Sequence, residues 1–136
     1  MADTVASQIL FEGDRKLVMK FTDTSDGTGE TNVVKVNVAN LTSAHGVPCT
    51  GVTIEKIFAM THGMEVEMKW EATSPVTIMT IPQNVMNSFE FHDGGFGFTG
   101  LTNNAGTGKT GNITFSTLDA SAGDRYSIVL YMHKVY

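Results

Sequence analysis

The chain has 136 residues, a formal net charge of −5, 41% hydrophobic residues and only 17% charged ones, the last below the ~25% usual for soluble domains. That length suits one domain able to bury roughly two-thirds of its unfolded surface without disulfide or metal, and the single Cys49 excludes an internal disulfide framework. The acidic balance, with Lys16, Lys20 and Lys35 scattered among acids, argues against nucleic-acid binding, which needs a basic patch; no stretch approaches the ~18 apolar residues of a membrane span.

Residues 1–7 are mostly small, without the charged start and apolar run of a secretory signal. They are expected to form a flexible arm ahead of a single sandwich domain at 8–136. Period-2 alternation then governs almost every segment. From Arg15 to Asp23, Leu17, Met19 and Phe21 point one way and Lys16 and Lys20 the other; Val34, Val36 and Val38 alternate with Lys35 and Asn37. Val52 and Ile54 open a strand that runs through Ile57 and Phe58, where the alternation slips and a bulge is expected. In Gly63 to Ala72 the inward set is Met64, Val66, Met68 and Trp70, opposite Glu65, Glu67, Lys69 and Glu71.

A Val-Thr-Ile-Met-Thr-Ile run lies between Pro75 and Pro82, a short strand with proline at its margins. Met86 to Ser88 offers at most one helical turn. Phe89 and Phe91 lead into Asp93-Gly-Gly-Phe-Gly-Phe-Thr-Gly100, where Phe96 and Phe98 resume alternation among glycines. The last strand, Asp124 to Lys134, turns Tyr126, Ile128, Leu130 and Met132 inward, and its other face, with Val129 and Tyr131, is apolar enough to pack as well. Glycine- and asparagine-rich turns separate these runs. Eight or nine short strands with this spacing read as an all-β fold, a single-domain β-sandwich of jelly-roll type.

The stretch Asn103-Asn-Ala-Gly-Thr-Gly-Lys-Thr110 imitates a phosphate-binding loop. The position of its first glycine is held by Asn103, and Ile113 and Phe115 downstream alternate as a strand where such a loop needs a helix N-terminus. The loop reads as a turn. His45 and Cys49 form the one closely spaced ligand pair, with His62, His92 and His133 scattered, whereas zinc sites usually show two such pairs. No metal or other cofactor is expected, no nucleophile elbow is present, and Glu65, Glu67 and Glu71 read as a solvated strand face; the chain is not expected to be an enzyme. Exposed aromatics leave a carbohydrate-binding module as a rival reading. Phe96, Phe98, Asn103, Asn104, Lys109 and Gln8 are the candidate partner-interface residues, because strand packing does not account for them.

Gln8-Ile-Leu-Phe-Glu-Gly-Asp-Arg-Lys-Leu-Val-Met-Lys-Phe-Thr22, Ser25-Asp-Gly-Thr-Gly-Glu30, Cys49 to Ile57, Gly100 to Phe115 and Gly123 to Leu130 together resemble small virion proteins of tailed bacteriophages. The resemblance covers nearly the whole chain and implies a non-catalytic particle component made in the host bacterial cytoplasm. Its implied partners are the major capsid protein or other virion proteins, together with further copies of itself, a trimer being the favoured homo-oligomer. Capsid cement or decoration comes first among its implied places, a tail or neck component second. A sugar- or receptor-binding sandwich remains the alternative from another class.

Overall fold

The computed structural model describes residues 4–91 and 100–136. Among these it forms nine strands: β1 (Thr4–Glu12), β2 (Lys16–Thr24), β3 (Val33–Val36), β4 (Gly51–His62), β5 (Glu65–Trp70), β6 (Val76–Ile81), β7 (Met86–Glu90), β8 (Ile113–Leu118) and β9 (Arg125–Val135), with one short 3-10 turn at Val38–Asn40. Alternation is the local cause. Leu17, Met19 and Phe21 of β2, Val66, Met68 and Trp70 of β5, and Tyr126, Ile128, Leu130 and Met132 of β9 are all buried in one continuous core. Fully burying a large apolar side chain is worth about 1.5–3 kcal/mol, so a one-residue register slip in any of these strands is strongly disfavoured.

The topology follows from folding a long ribbon. β2 pairs antiparallel with β9, β3 with β8, β4 with β7 and β5 with β6, as if the chain were doubled back at the β5–β6 turn. Wrapping this ribbon joins β9 to β4 and β8 to β5. Two sheets result, β1-β2-β9-β4-β7 and β3-β8-β5-β6. This is the jelly-roll arrangement, extended by β1 at one edge. Between the sheets Phe115 of β8 lies edge-on to Phe21 of β2 and Tyr126 of β9, with ring centroids 5.3 and 5.9 Å away, the geometry the aromatic quadrupole favours. No helix among the described residues is long and apolar enough to cross a membrane.

The structure departs from the sequence expectations at four places. The strand ahead of the first hairpin starts at Thr4, so residues 4–7, expected in the arm, pair with Phe21–Thr24 and extend the ladder of β2. Met86 to Ser88 is part of β7 and not a helical turn, because Met60, Ala59 and Phe58 of β4 offer it a partner edge. Along Ile113–Ser116 of β8 both faces are buried, since the segment before β3 lies over it: the Asn32 N–H donates to Ser116 Oγ (2.9 Å) and the Glu30 N–H to Thr117 Oγ1 (2.7 Å). Lys35 does not point to solvent. A bulge between Val34 and Val36 re-aims it, and its Nζ donates to Glu30 Oε2 at 2.6 Å while Tyr126 OH donates to Glu30 Oε1 at 2.6 Å.

The Glu30 and Lys35 side chains are 6% and 3% exposed, so removing one partner leaves a buried charge. Glu30→Ala is expected to cost about 3–5 kcal/mol of unfolding free energy. Combining Glu30→Gln with Lys35→Met is expected to restore most of the loss, since replacing both partners removes the orphaned charge. Urea unfolding of the wild type and both variants checks this.

Candidate interaction surface

Among the described residues the sandwich has four sheet edges, and they are unequal. β3 and β7 have four and five residues; β6 has six and is bracketed by Pro75 and Pro82. β1 has nine. From Thr4 to Phe11 it carries no charged residue, and every one of those residues is exposed. Natural edges are usually blunted by shortness, proline or inward charge. On β1 the device present is a bulge at Leu10, between Ile9 and Phe11.

Val5, Ser7 and Ile9 lie opposite Asp23, Phe21 and Met19 and therefore share the core-side face of the sheet. Yet Val5 and Ile9 are 47% and 45% exposed, because five strands face four and β1 overhangs. Below the overhang a cavity of about 380 Å³ is lined by Ser7, Ile9, Met19, Val34 and Leu41. The far end of β1 is clamped: Glu12 Oε2 accepts from Lys134 Nζ of β9 (2.8 Å) and from the Thr42 N–H (2.8 Å).

A second surface lies on the solvent side of the same sheet. Phe11, Val18 and Tyr131 floor an open groove of about 470 Å³. Lys16 Nζ meets Glu55 Oε1 at 2.5 Å, Lys56 Nζ meets Glu90 Oε1 at 3.5 Å, and Lys56 sits 5.4 Å from the centre of the Tyr131 ring. Each of these acids has an opposite charge beside it. The groove offers aromatic and charge-paired polar contacts.

The residues singled out from the sequence fall in different places. Gln8 is on β1, opposite Lys20, and exposed. Asn103 and Lys109 line one cleft of about 750 Å³ with Cys49, Thr53 and Thr110, and Asn104 is exposed on the same loop. Asn103 shapes the turn, its Oδ1 accepting the Ala105 N–H at 2.9 Å. Phe96 and Phe98 lie outside the described residues. The structure thus joins Asn103 to Lys109 and leaves Gln8 elsewhere.

The phosphate-loop imitation runs into β8, a strand. Thr110 Oγ1 donates to Glu71 Oε1 at 2.7 Å, a carboxylate where a phosphate would need positive partners. Cys49 is buried, its Sγ 3.1 Å from the Gly51 carbonyl oxygen. Among the described residues no three potential metal ligands cluster. Val5, Ile9 and Phe11 are not among the residues singled out from the sequence, although the uncharged run from Thr4 to Phe11 is the signal for an open edge. Comparison with protein-family models found no match, and comparison with curated proteins found none.

The clamp on β1 carries a pH signature. The hydrogen bond from Lys134 holds the Glu12 carboxyl below its ordinary value, with burial opposing and the Thr42 N–H assisting. A depressed carboxyl stabilises the fold above its unfolded pKa and loses that contribution as pH falls through the depressed value. Glu12→Gln is therefore expected to melt lower than wild type at neutral pH, with the gap closing in acid below the depressed value; thermal melts across that range check it.

Proposed function

We propose that this protein is a non-catalytic structural component of a tailed-phage virion, acting as a capsid cement or decoration protein. The observation that carries the reading is the nine-residue β1 edge, uncharged from Thr4 to Phe11 and exposed on both faces: a surface suited to a protein neighbour. The resemblance of Gln8–Thr22, Gly100–Phe115 and Gly123–Leu130 to small virion proteins supports it. The jelly roll adds only analogy, since capsid, lectin and cupin domains all use it.

The mechanism is strand addition and surface complementarity. An extended segment of a capsid subunit or of another copy continues the sheet at β1, with main-chain hydrogen bonds for affinity and side-chain alternation for register. Binding the assembled shell and not its separated parts stabilises the shell by linkage. Tail or neck placement uses the same surface at lower copy number. The groove of Phe11, Val18 and Tyr131 favours the second reading, a sugar- or receptor-binding module, because aromatic floors with a few polar groups suit a small ligand.

Quantitative mass spectrometry of purified particles, scaled to the major capsid protein, tests the proposal. Copy number comparable with the capsid protein is expected. A few dozen copies at most would move the protein to the tail or neck, and absence from the particle would overturn the virion reading in favour of the binding module.

A further inference from the structure

We propose that the groove on the solvent side of the five-stranded sheet is a binding site for a neutral saccharide, a pyranose ring seated on Phe11 and Tyr131 with its hydroxyls held by Glu55 and Lys16. Strand register builds the floor. Phe11 lies opposite Val18, Val18 opposite Tyr131, Tyr131 opposite Lys56, and Lys56 opposite Glu90, so one transverse row crosses all five strands. Its first three members are apolar or aromatic and its last two are charged. Phe11 and Tyr131 are 57% and 39% exposed, which leaves their rings open to a ligand that brings a C–H face.

Glu55 makes this a built site. It is the extra residue of the bulge between Ile54 and Lys56, and a bulge re-aims a side chain. Its side chain lines the groove although only 10% of it is exposed, and the Phe91 N–H fixes its main chain by donating to its carbonyl oxygen at 2.8 Å. Lys16 Nζ of β2 donates to Glu55 Oε1 of β4, reaching across β9, which lies between those strands. A carboxylate can accept, and an ammonium can donate, more than one hydrogen bond, so the pair presents an acceptor and a donor side by side. Neighbouring hydroxyls of a pyranose, each able to donate and to accept, match that pair.

Charge, solvation and backbone select this class of ligand over others. Lys16 and Lys56 each have a carboxylate beside them, Glu55 and Glu90, so an anion such as phosphate meets no net positive field. An apolar ligand would take these polar groups out of water and return no hydrogen bond to them. A peptide finds no open ladder on the floor, because β2, β9 and β4 are each paired on both sides, and strand addition needs an edge. The groove volume of about 470 Å³ lies within the ~300–1,000 Å³ of small-molecule sites.

This assignment deepens the binding-module reading and rests on it; particle copy number does not bear on it. Nuclear magnetic resonance titration of the isotope-labelled full chain with the methyl glycosides of glucose, galactose, mannose and N-acetylglucosamine reads binding. At least one glycoside is expected to shift the amides of Phe11, Val18, Tyr131 and Lys56 and to saturate in the millimolar range. Tyr131→Ala is expected to weaken that glycoside about tenfold or more. Met86→Ala, an exposed change on β7 of the same sheet and outside the groove, is expected to leave it unchanged, and thermal melts verify that both variants are folded. No saturable shift with any of the glycosides, or equal binding by Tyr131→Ala, would overturn the inference. Inorganic phosphate and the neutral capped peptide acetyl-Ser-Gly-Ser-amide are the comparison probes. Groove shifts with phosphate alone would overturn the assignment in favour of an anion site, and shifts with the peptide alone would overturn it while leaving a receptor-binding surface. Silence from every probe would overturn the binding-module reading as well.

Discussion

A five-stranded sheet packed on a four-stranded one leaves a strand without a counterpart, and here that strand is β1. Its core-side residues Val5 and Ile9 stay nearly half exposed, although they continue the same face that carries Phe21 and Met19 into the core. The mismatch sets the character of this whole side of the molecule. It opens a cavity under the overhang, leaves a ladder edge that no strand among the described residues pairs, and puts β1 beside β3, the edge of the opposite sheet, where Val33 and Val34 are also exposed.

Where apolar cover is missing, the fold uses buried ion pairs as ties. Lys134, fully buried on β9, reaches Glu12 at the end of β1, and Lys35 on β3 reaches Glu30, whose other oxygen is held by Tyr126 of β9. The two edge strands on the open side are therefore both referred to β9. The desolvation of such charges offsets much of their attraction, so pairs of this kind fix geometry more than they add net stability. A rigid edge is what strand addition requires, because a frayed one would lose ordering entropy on every docking event.

The two surfaces on this protein ask for different partners. The β1 edge is linear, uncharged and backbone-rich, which suits another strand. The groove of Phe11, Val18 and Tyr131 is concave, with charge pairs at its rim, which suits a small polar ligand or a loop. Phe11 belongs to both: it sits on β1 just past the bulge and floors the groove. The cleft lined by Asn103 and Lys109 stands apart, at the Gly-rich loop before β8. Its glycines serve packing: Gly108 has φ of 78°, and a Cβ there would lie 2.1 Å from Thr73 Oγ1.

Alternation alone determined the strand-rich class, the inward sets of β2, β5 and β9, the buried Trp70 and the slip in β4 that became the bulge between Ile54 and Lys56, because side-chain direction in a strand is a local property of the backbone. The failure of the phosphate-loop imitation was legible for the same reason. What the sequence could not show depended on partners distant along the chain. Met86 to Ser88 is strand because β4 lies beside it; Lys35 is buried because a bulge turns it towards Glu30 and Tyr126; β8 is covered on both faces because residues 30–32 lie over it. The exposure of β1 is of this kind too. Its residues alternate like those of any half-buried strand, and only the count of strands in the two sheets, five against four, decided that Val5 and Ile9 stay exposed.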